Sequence, residues 1–349
     1  MNLVKKDHRI EELDYLRGFA LLGILLVNIL PLLSVSPPLS DTFNATYQRF
    51  LYLFVEGRFF AIFSFLFGVS FYIFIYKAND KGKNAKVLFL RRIMCLFAMG
   101  AIHLSCHPGE ALTVYSVYGL LVLPFYKVKE ETNLFVGLFL LFIFSMLSIK
   151  ILLPLPLILL GLTAGQYKVF ENLTLYRRKI YIFTLVTFSL SALLFVYQYN
   201  QAPSKPFDIM NIENVDSSDF LQINKFINTG IMIGAINSAF YVGMLLTILK
   251  AKSVRLILSP LKYLGQMALT NYIGQTAILI TASRLFGIYN QISYLQTLFI
   301  CQCIILFQVI FSIIWLRYFK YGPLEWGWRM FTYSHVISIR KISSQRNNN

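Results

Sequence analysis

Long apolar runs alternate with short polar, mostly basic segments along the whole chain. A membrane-crossing helix needs about 20 mostly apolar residues, within a range of roughly 17–25. Ten runs meet that need or approach it: 15–35, 58–76, 88–106, 111–126, 133–149, 151–167, 180–198, 226–249, 263–283 and 295–316. The fourth is short. The fifth and sixth are separated only by Lys150, Pro154 and Pro156, prolines being incompatible with an uninterrupted helix interior. The pattern predicts an all-α integral membrane protein, a bundle of about ten transmembrane helices.

The basic residues orient that bundle. With the N-terminus inside, 26 of the 32 lysines and arginines fall in inner segments and six in outer ones. Lys and Arg accumulate on the cytoplasmic side of short loops. Both termini are therefore expected in the cytoplasm, and the chain is expected as a multi-pass protein of the plasma membrane. Residues 1–333 read as one polytopic domain and 334–349 as a basic, polar cytoplasmic tail, disordered from Ser343 onward. Outer loops are expected over 36–57 and over 199–225, the second carrying Asp208, Glu213, Asp216 and Asp219. Trp326 and Trp328 fit an interfacial aromatic belt.

Composition agrees with lipid as the main solvent. Hydrophobic residues make up 57% of the 349 and charged residues 14%, with a mean hydropathy of +0.61. Soluble domains carry roughly 25% charge. The net charge of +16 is explained by inner loops, and no nucleic-acid partner is expected. Cys95, Cys106, Cys301 and Cys303 have neither disulfide nor metal spacing. The first apolar run is too long for a signal-peptide core and lacks a small-residue cleavage site, so it reads as a retained span.

Polar side chains inside apolar runs are costly and mark function or packing. Asp14 and Arg17 are three apart and can pair on one helix face. Asn28 lies eleven residues beyond Arg17 on nearly the same face. That set is either a polar track through the first helix or a snorkelling arginine plus one interhelical hydrogen bond. His103, His107 and Glu110 gather at the outer end of the third run. They suit proton transfer, a metal with two histidines and a carboxylate, or a plain pair of interfacial histidines. In the ninth run Gln266/Thr270 and Asn271/Gln275 form adjoining stripes, suited to interhelical hydrogen bonds or to ligand contact. No phosphate loop, dinucleotide fingerprint or serine-hydrolase elbow is present.

Several blocks together carry a resemblance. Arg9-Ile10 and Leu13-Asp14-Tyr15-Leu16-Arg17-Gly18-Phe19 open the first helix, which continues to Asn28. Phe63-Ser64-Phe65-Leu66-Phe67-Gly68 follows, then Arg91-Arg92 and Gly100-Ala101-Ile102-His103-Leu104. Gly265-Gln266-Met267-Ala268-Leu269-Thr270-Asn271-Tyr272 and Gly322-Pro323-Leu324-Glu325-Trp326 complete the series. In this order they resemble the YeiB-like family, the domain of unknown function 418. That family is distantly similar to transmembrane acyltransferases of the acyltransferase-3 and heparan-α-glucosaminide N-acetyltransferase types.

The resemblance implies a bundle that takes an acyl group, most simply acetyl, from cytoplasmic acyl-CoA and passes it to an outer or lipid-linked sugar acceptor. Acetyl-CoA or another acyl-CoA is then the co-substrate, and no metal is expected. The acyltransferase-3 pattern places a histidine where this chain has Asn28, eleven residues after Arg17. The histidine role falls here to His103 by position and chemistry, with Glu110 standing where the family carries Asp. Arg17, with Asp14 beside it, is the candidate for CoA phosphates, and Asn28 for the thioester oxyanion. Asn271, Gln275 and His107 are candidate acceptor contacts. Two other readings stay open: a transporter or exporter of a small amphiphile, and a noncatalytic membrane scaffold or sensor. The lipid bilayer is the expected partner, and the oligomeric state is not legible.

Overall fold

The structure is a computed structural model, and it describes residues 9–208 and 217–341. Glu213, Asp216 and the tail from Ser343 onward lie outside these residues. Among the described residues the regular structure is helical, apart from one antiparallel bridge between Phe319 and Arg340. The helices are α1 Glu11–Leu32, α2 Phe43–Phe50, α3 Arg58–Asp80, α4 Ala85–Leu104, α5 Leu112–Val122, α6 Glu130–Met146 and α7 Pro154–Gln166. They continue with α8 Arg177–Tyr199, α9 Ser217–Ile248, α10 Lys252–Ile257, α11 Ser259–Gln266, α12 Ala268–Phe286, α13 Tyr294–Tyr318 and α14 Pro323–Tyr333.

Six stretches among the described residues are long and apolar enough to cross a membrane. They are Glu11–Leu32, Phe43–Asp80, Ala85–Leu104, Arg177–Tyr199, Ser217–Ile248 and Tyr294–Tyr318. Leu112–Lys127 and Lys150–Gln166 are shorter apolar helices. This is the architecture of a membrane protein. Between α6 and α7 the chain breaks as the Lys150–Pro156 segment predicts: Ser148 turns at φ +54, and α7 opens on Pro154, where the missing N–H costs nothing.

Three expectations change. The 36–57 segment is largely helical: Thr42 caps α2 through the Ala45 N–H, and a wide π turn over Leu51–Val55 follows. The 199–225 loop is shorter than expected because α9 begins at Ser217, with Asp219 in its first turn and in reach of Lys205. The ninth apolar run is two helices, α11 and α12, which break at Met267.

The core is built around α1. Leu16, Ala20, Leu25 and Ile29 are fully buried between α3, α11, α12 and α13. The α1–α11 crossing is backbone on backbone. A Cβ on Gly18 would fall 1.9 Å from the Leu261 carbonyl oxygen, and one on Gly265 would fall 1.8 Å from that of Asp14. Such small-residue seams let helices approach closely where lipid offers no hydrophobic drive to association. At the periphery α6 and α8 present Phe135, Phe139, Phe142, Phe183, Phe188 and Leu193 outward, as lipid-facing surfaces do.

Candidate functional site

The N-terminal turn of α1 is fixed by a carboxylate between two guanidinium groups. Asp14, 1% exposed, accepts from Arg9 Nε at 2.5 Å and Nη2 at 2.9 Å, and from Arg17 Nη1 at 3.0 Å. Arg17 Nη2 donates to Ser70 Oγ on α3 at 2.6 Å. The expected Asp14–Arg17 pair is present, and both residues line a cavity.

That cavity measures about 760 Å3, within the range of roughly 300–1,000 Å3 usual for small-molecule sites. Its mouth is basic. Arg9, Arg17, Lys77, Lys81, Lys83, Arg92 and Arg329 line it, against the carboxylates of Asp14 and Glu325. Its other end is formed by Ala111, Leu112, Tyr115 and Tyr272. One wall comes from the segment after α13, which supplies Tyr321, Trp328, Tyr333, His335 and Ile337.

This wall is firmly held. Lys320 N–H donates to the Ile339 carbonyl and Lys341 N–H to that of Tyr318. Trp326 Nε1 donates to the Ile337 carbonyl at 2.7 Å and Trp328 Nε1 to the Arg92 carbonyl at 2.8 Å. The two tryptophans expected as an interfacial belt both bond within the protein. Trp328 is stacked on Arg92, 3.6 Å from guanidinium carbon to ring centre, with Phe74 on the same guanidinium at 5.0 Å.

Glu325 ties the wall to the broken ninth span. Its Oε1 accepts from the N–H groups of Leu269 and Thr270 at 2.8 and 3.1 Å, and its Oε2 from Thr270 Oγ1 at 2.6 Å. The first N–H groups of a helix have no partner within it, so an acid from a distant helix satisfies those of α12. Burial pushes the Glu325 carboxyl above its usual range, although the hydrogen bonds from Thr270 and Leu269 oppose the shift.

Just beyond the far end of the cavity lies the histidine cluster. His103, on the last turn of α4, is 5% exposed. Its Nε2 is 2.9 Å from Thr276 Oγ1, and its Nδ1 is 3.8 Å from Glu110 Oε2. The ring meets that of Tyr272 edge-on at 5.2 Å, so Tyr272 stands between His103 and the cavity. Glu110 accepts from the N–H groups of Leu112 at 2.6 Å and Thr113 at 2.7 Å, at a helix start that favours negative charge. Burial would raise the Glu110 carboxyl, but His103 and the hydrogen bonds from Thr113 and Leu112 hold it below the usual glutamate range. His107 lies in the turn beyond α4, its ring 5.6 Å from that of His103. It is 1% exposed, and neither ring nitrogen has a hydrogen-bond partner among the described residues. Burial, with His103 adding to it, pushes the ring down to about 4 despite Glu110.

The remaining sequence candidates lie elsewhere. Asn271 Nδ2 donates to the Leu264 carbonyl and to Ser312 Oγ, both at 3.0 Å, and Gln275 Nε2 donates to Gln308 Oε1 at 3.2 Å. Both face α13 and serve interhelical hydrogen bonding. Asn28 is half-buried on α1 and is not part of the cavity lining. Among the described residues no group of three or more His, Cys, Asp or Glu side chains is arranged to hold a metal. Sequence reasoning passed over Thr276 and the cavity-facing roles of Arg92, Glu325, Trp328 and Arg329. Thr276 had a legible signal, because it forms an i,i+4 stripe with Tyr272 beside the two stripes already noted. The other four come together only through the return of the chain after α13.

The chain is 53% identical, over 97% of its length and 98% of the other, to the uncharacterized 39.9 kDa protein in the amylase 3′ region of Bacillus acidopullulyticus. It is 26% identical to the uncharacterized protein YxaH of Bacillus subtilis, over 96% of this chain and 97% of that one. A 68-residue segment, 20% of this chain and 18% of the relative, is 44% identical to the uncharacterized protein YeiB of Escherichia coli. No solved structure matches the chain. The family described as "Protein of unknown function (DUF418)" matches residues 164–335. With a near full-length relative at 53% identity, the 68-residue match to YeiB and this family match, the chain belongs to the DUF418 family.

Proposed function

We propose that this protein is a membrane-embedded acyltransferase that takes an acyl group, most simply acetyl, from cytoplasmic acyl-CoA. The observation that carries the reading is the cavity of about 760 Å3, basic at its mouth and lined at the other end by Tyr272, whose ring meets that of His103. In this reading α5, α6, α7 and the α11–α12 pair also cross the bilayer. That makes ten spans, with both termini and the basic mouth on the cytoplasmic side of the plasma membrane. The acceptor, a glycan or a lipid-linked sugar, approaches from the outer side.

The chemistry follows from the cluster. With Nδ1–H turned toward Glu110, Nε2 of His103 is a free base that accepts from the Thr276 hydroxyl. The acceptor's hydroxyl or amine takes that place, and its oxygen or nitrogen attacks the thioester carbonyl carbon. Its proton passes to Nε2 of His103, the carbon–sulfur bond breaks, and His103 returns the proton to the leaving thiolate as CoA–SH. Glu110, held by the first turn of α5, stabilises the imidazolium that forms transiently. Asn28, the candidate for the oxyanion by resemblance, does not line the cavity and takes no part in this step. His107, whose ring lies 5.6 Å from that of His103, flanks the acceptor, while Asn271 and Gln275 are occupied by α13 and take no part.

The test is acetyl-CoA binding and turnover by the purified protein in detergent. Acetyl-CoA is expected to raise the unfolding temperature and to be hydrolysed slowly to CoA. His103→Ala is expected to keep binding and to lose CoA release by at least about 100-fold, the usual weight of a general base. A protein that binds no acyl-CoA, or a His103→Ala variant with unchanged release, overturns the assignment.

The break at Met267 favours a second reading. Transporters use interrupted helices whose half-helix ends meet a substrate. Here the half-helix end is already filled by Glu325, which argues for a static break. Substrate counterflow in liposomes without acyl-CoA would establish transport instead.

A further inference from the structure

The cavity contains two arginines that the protein itself does not use. Asp14 is saturated by Arg9 and Arg17, and Glu325 by the start of α12. These are the two carboxylates in the cavity lining. Neither forms an ion pair with Arg92 or Arg329. Each guanidinium instead sits over an aromatic ring, Arg92 over Trp328 at 3.6 Å and Arg329 over Tyr321 at 4.4 Å. A guanidinium held over a ring by its face keeps its N–H donors, which lie in its own plane, free for other partners. Among the described residues no side-chain hydrogen bond or ion pair takes up those donors, and both residues open onto the cavity. Apart from Lys77 and Lys81, the lining holds five lysines and arginines against two carboxylates, an excess of three positive charges.

We propose that Arg92 and Arg329 form a diphosphate-binding subsite at the mouth of the cavity. A monocarboxylate would cancel only a third of the excess charge. A diphosphate brings at least two negative charges and paired oxygens that suit the planar edges of arginine. Arg17, the candidate phosphate ligand that the family resemblance implies, is already committed to Asp14 and Ser70. It is a positioning residue for the mouth. The diphosphate comes either from a CoA thioester, in which case the subsite rests on the acyltransferase reading and refines it, or from the head of a prenyl diphosphate lipid.

The experiment measures thermal stabilisation and dissociation constants in detergent with four probes: inorganic pyrophosphate, acetyl-CoA, S-acetylpantetheine and farnesyl diphosphate. Wild type is compared with Arg92→Gln, Arg329→Gln, and the charge-keeping Arg92→Lys and Arg329→Lys. Wild type is expected to bind pyrophosphate, and binding is expected to weaken with added salt. Each Gln variant is expected to weaken binding of diphosphate-bearing probes by about tenfold or more while leaving S-acetylpantetheine unchanged. The Lys variants, which keep the charge and lose the planar fork, are expected to fall between. Since the Lys variants report on the subsite with little change in volume, misfolding of a Gln variant does not shield the proposal.

Acetyl-CoA binding equally well to wild type and all four variants overturns the subsite and leaves the acyltransferase reading standing. Farnesyl diphosphate binding that the variants weaken, with no acetyl-CoA binding, keeps the subsite and overturns that reading. Failure of every diphosphate-bearing probe overturns both.

Discussion

At the scale of single residues, the histidine pair divides its labour by environment. His103 has a hydroxyl on one ring nitrogen and a carboxylate near the other, whereas His107 has neither. A histidine in the unfolded chain titrates near about 6.5, and His107 in the fold is pushed down to about 4. Its folded pKa lies below its unfolded one, so the unfolded chain binds the extra proton between these values. Stability is therefore fully present above about pH 6.5 and is lost as pH falls toward 4, at up to about 1.4 kcal/mol per pH unit. Melting curves in detergent across that window are expected to show the slope, and His107→Leu is expected to flatten it. Glu110 adds a separate loss at lower pH, since its folded pKa is depressed and its contribution fades once the carboxylate is protonated. Glu110→Gln is expected to remove that lower limb while leaving the His107 slope in place.

At the scale of elements, the ninth apolar run is the informative one. Its hydropathy was legible as a span, but its division at Met267 was not, because no proline marks the break. The reason lies in tertiary structure: α11 must run close along α1, and α12 starts afresh with its N–H groups on Glu325. Two substitutions weigh these terms. Gly265→Ala places a methyl against the Asp14 carbonyl oxygen and is expected to cost about 1–3 kcal/mol, the range for overpacking. Glu325→Gln keeps an oxygen for the Leu269 and Thr270 N–H groups and is expected to unfold close to wild type. Glu325→Ala leaves them unpaired in a buried setting and is expected to cost about 1–3 kcal/mol. Both are read by thermal unfolding in a single detergent. Equal loss in the Gln and Ala variants would show that charge, rather than hydrogen bonding, holds the break.

At the scale of the whole molecule, apolar run length predicted the helical membrane class and most helix positions, because the bilayer imposes that length locally. The Asp14–Arg17 pair and the His103–Glu110 proximity were legible for a related reason: each joins residues within seven positions of one another. The cavity was not legible. Its walls draw on α1, α3, α4, α12 and α14, and pattern along the chain does not say which faces converge. The stripe Asn271/Gln275 illustrates the limit, since α13 supplied Gln308 and Ser312 to absorb it, while the neighbouring Tyr272/Thr276 stripe faces His103. Cysteine labelling from each side of intact cells tests the ten-span arrangement. Residues placed at 82, 128, 172 and 252 are expected to react from the cytoplasmic side, and residues at 40, 204 and 290 from outside.

The wall supplied by residues 321–337 also sets an order in time. Every long apolar helix described here precedes this segment, so the ribosome delivers the bundle before the cavity has a closed side. A nascent chain that has inserted α13 but not yet released α14 holds a half-open basic trough, with Arg92 still lacking its Trp328 cover. In the proposed reading, ligand retention is thus acquired only once α14 has docked against α4. Chains arrested shortly after α13 would be expected to insert normally and to retain no ligand.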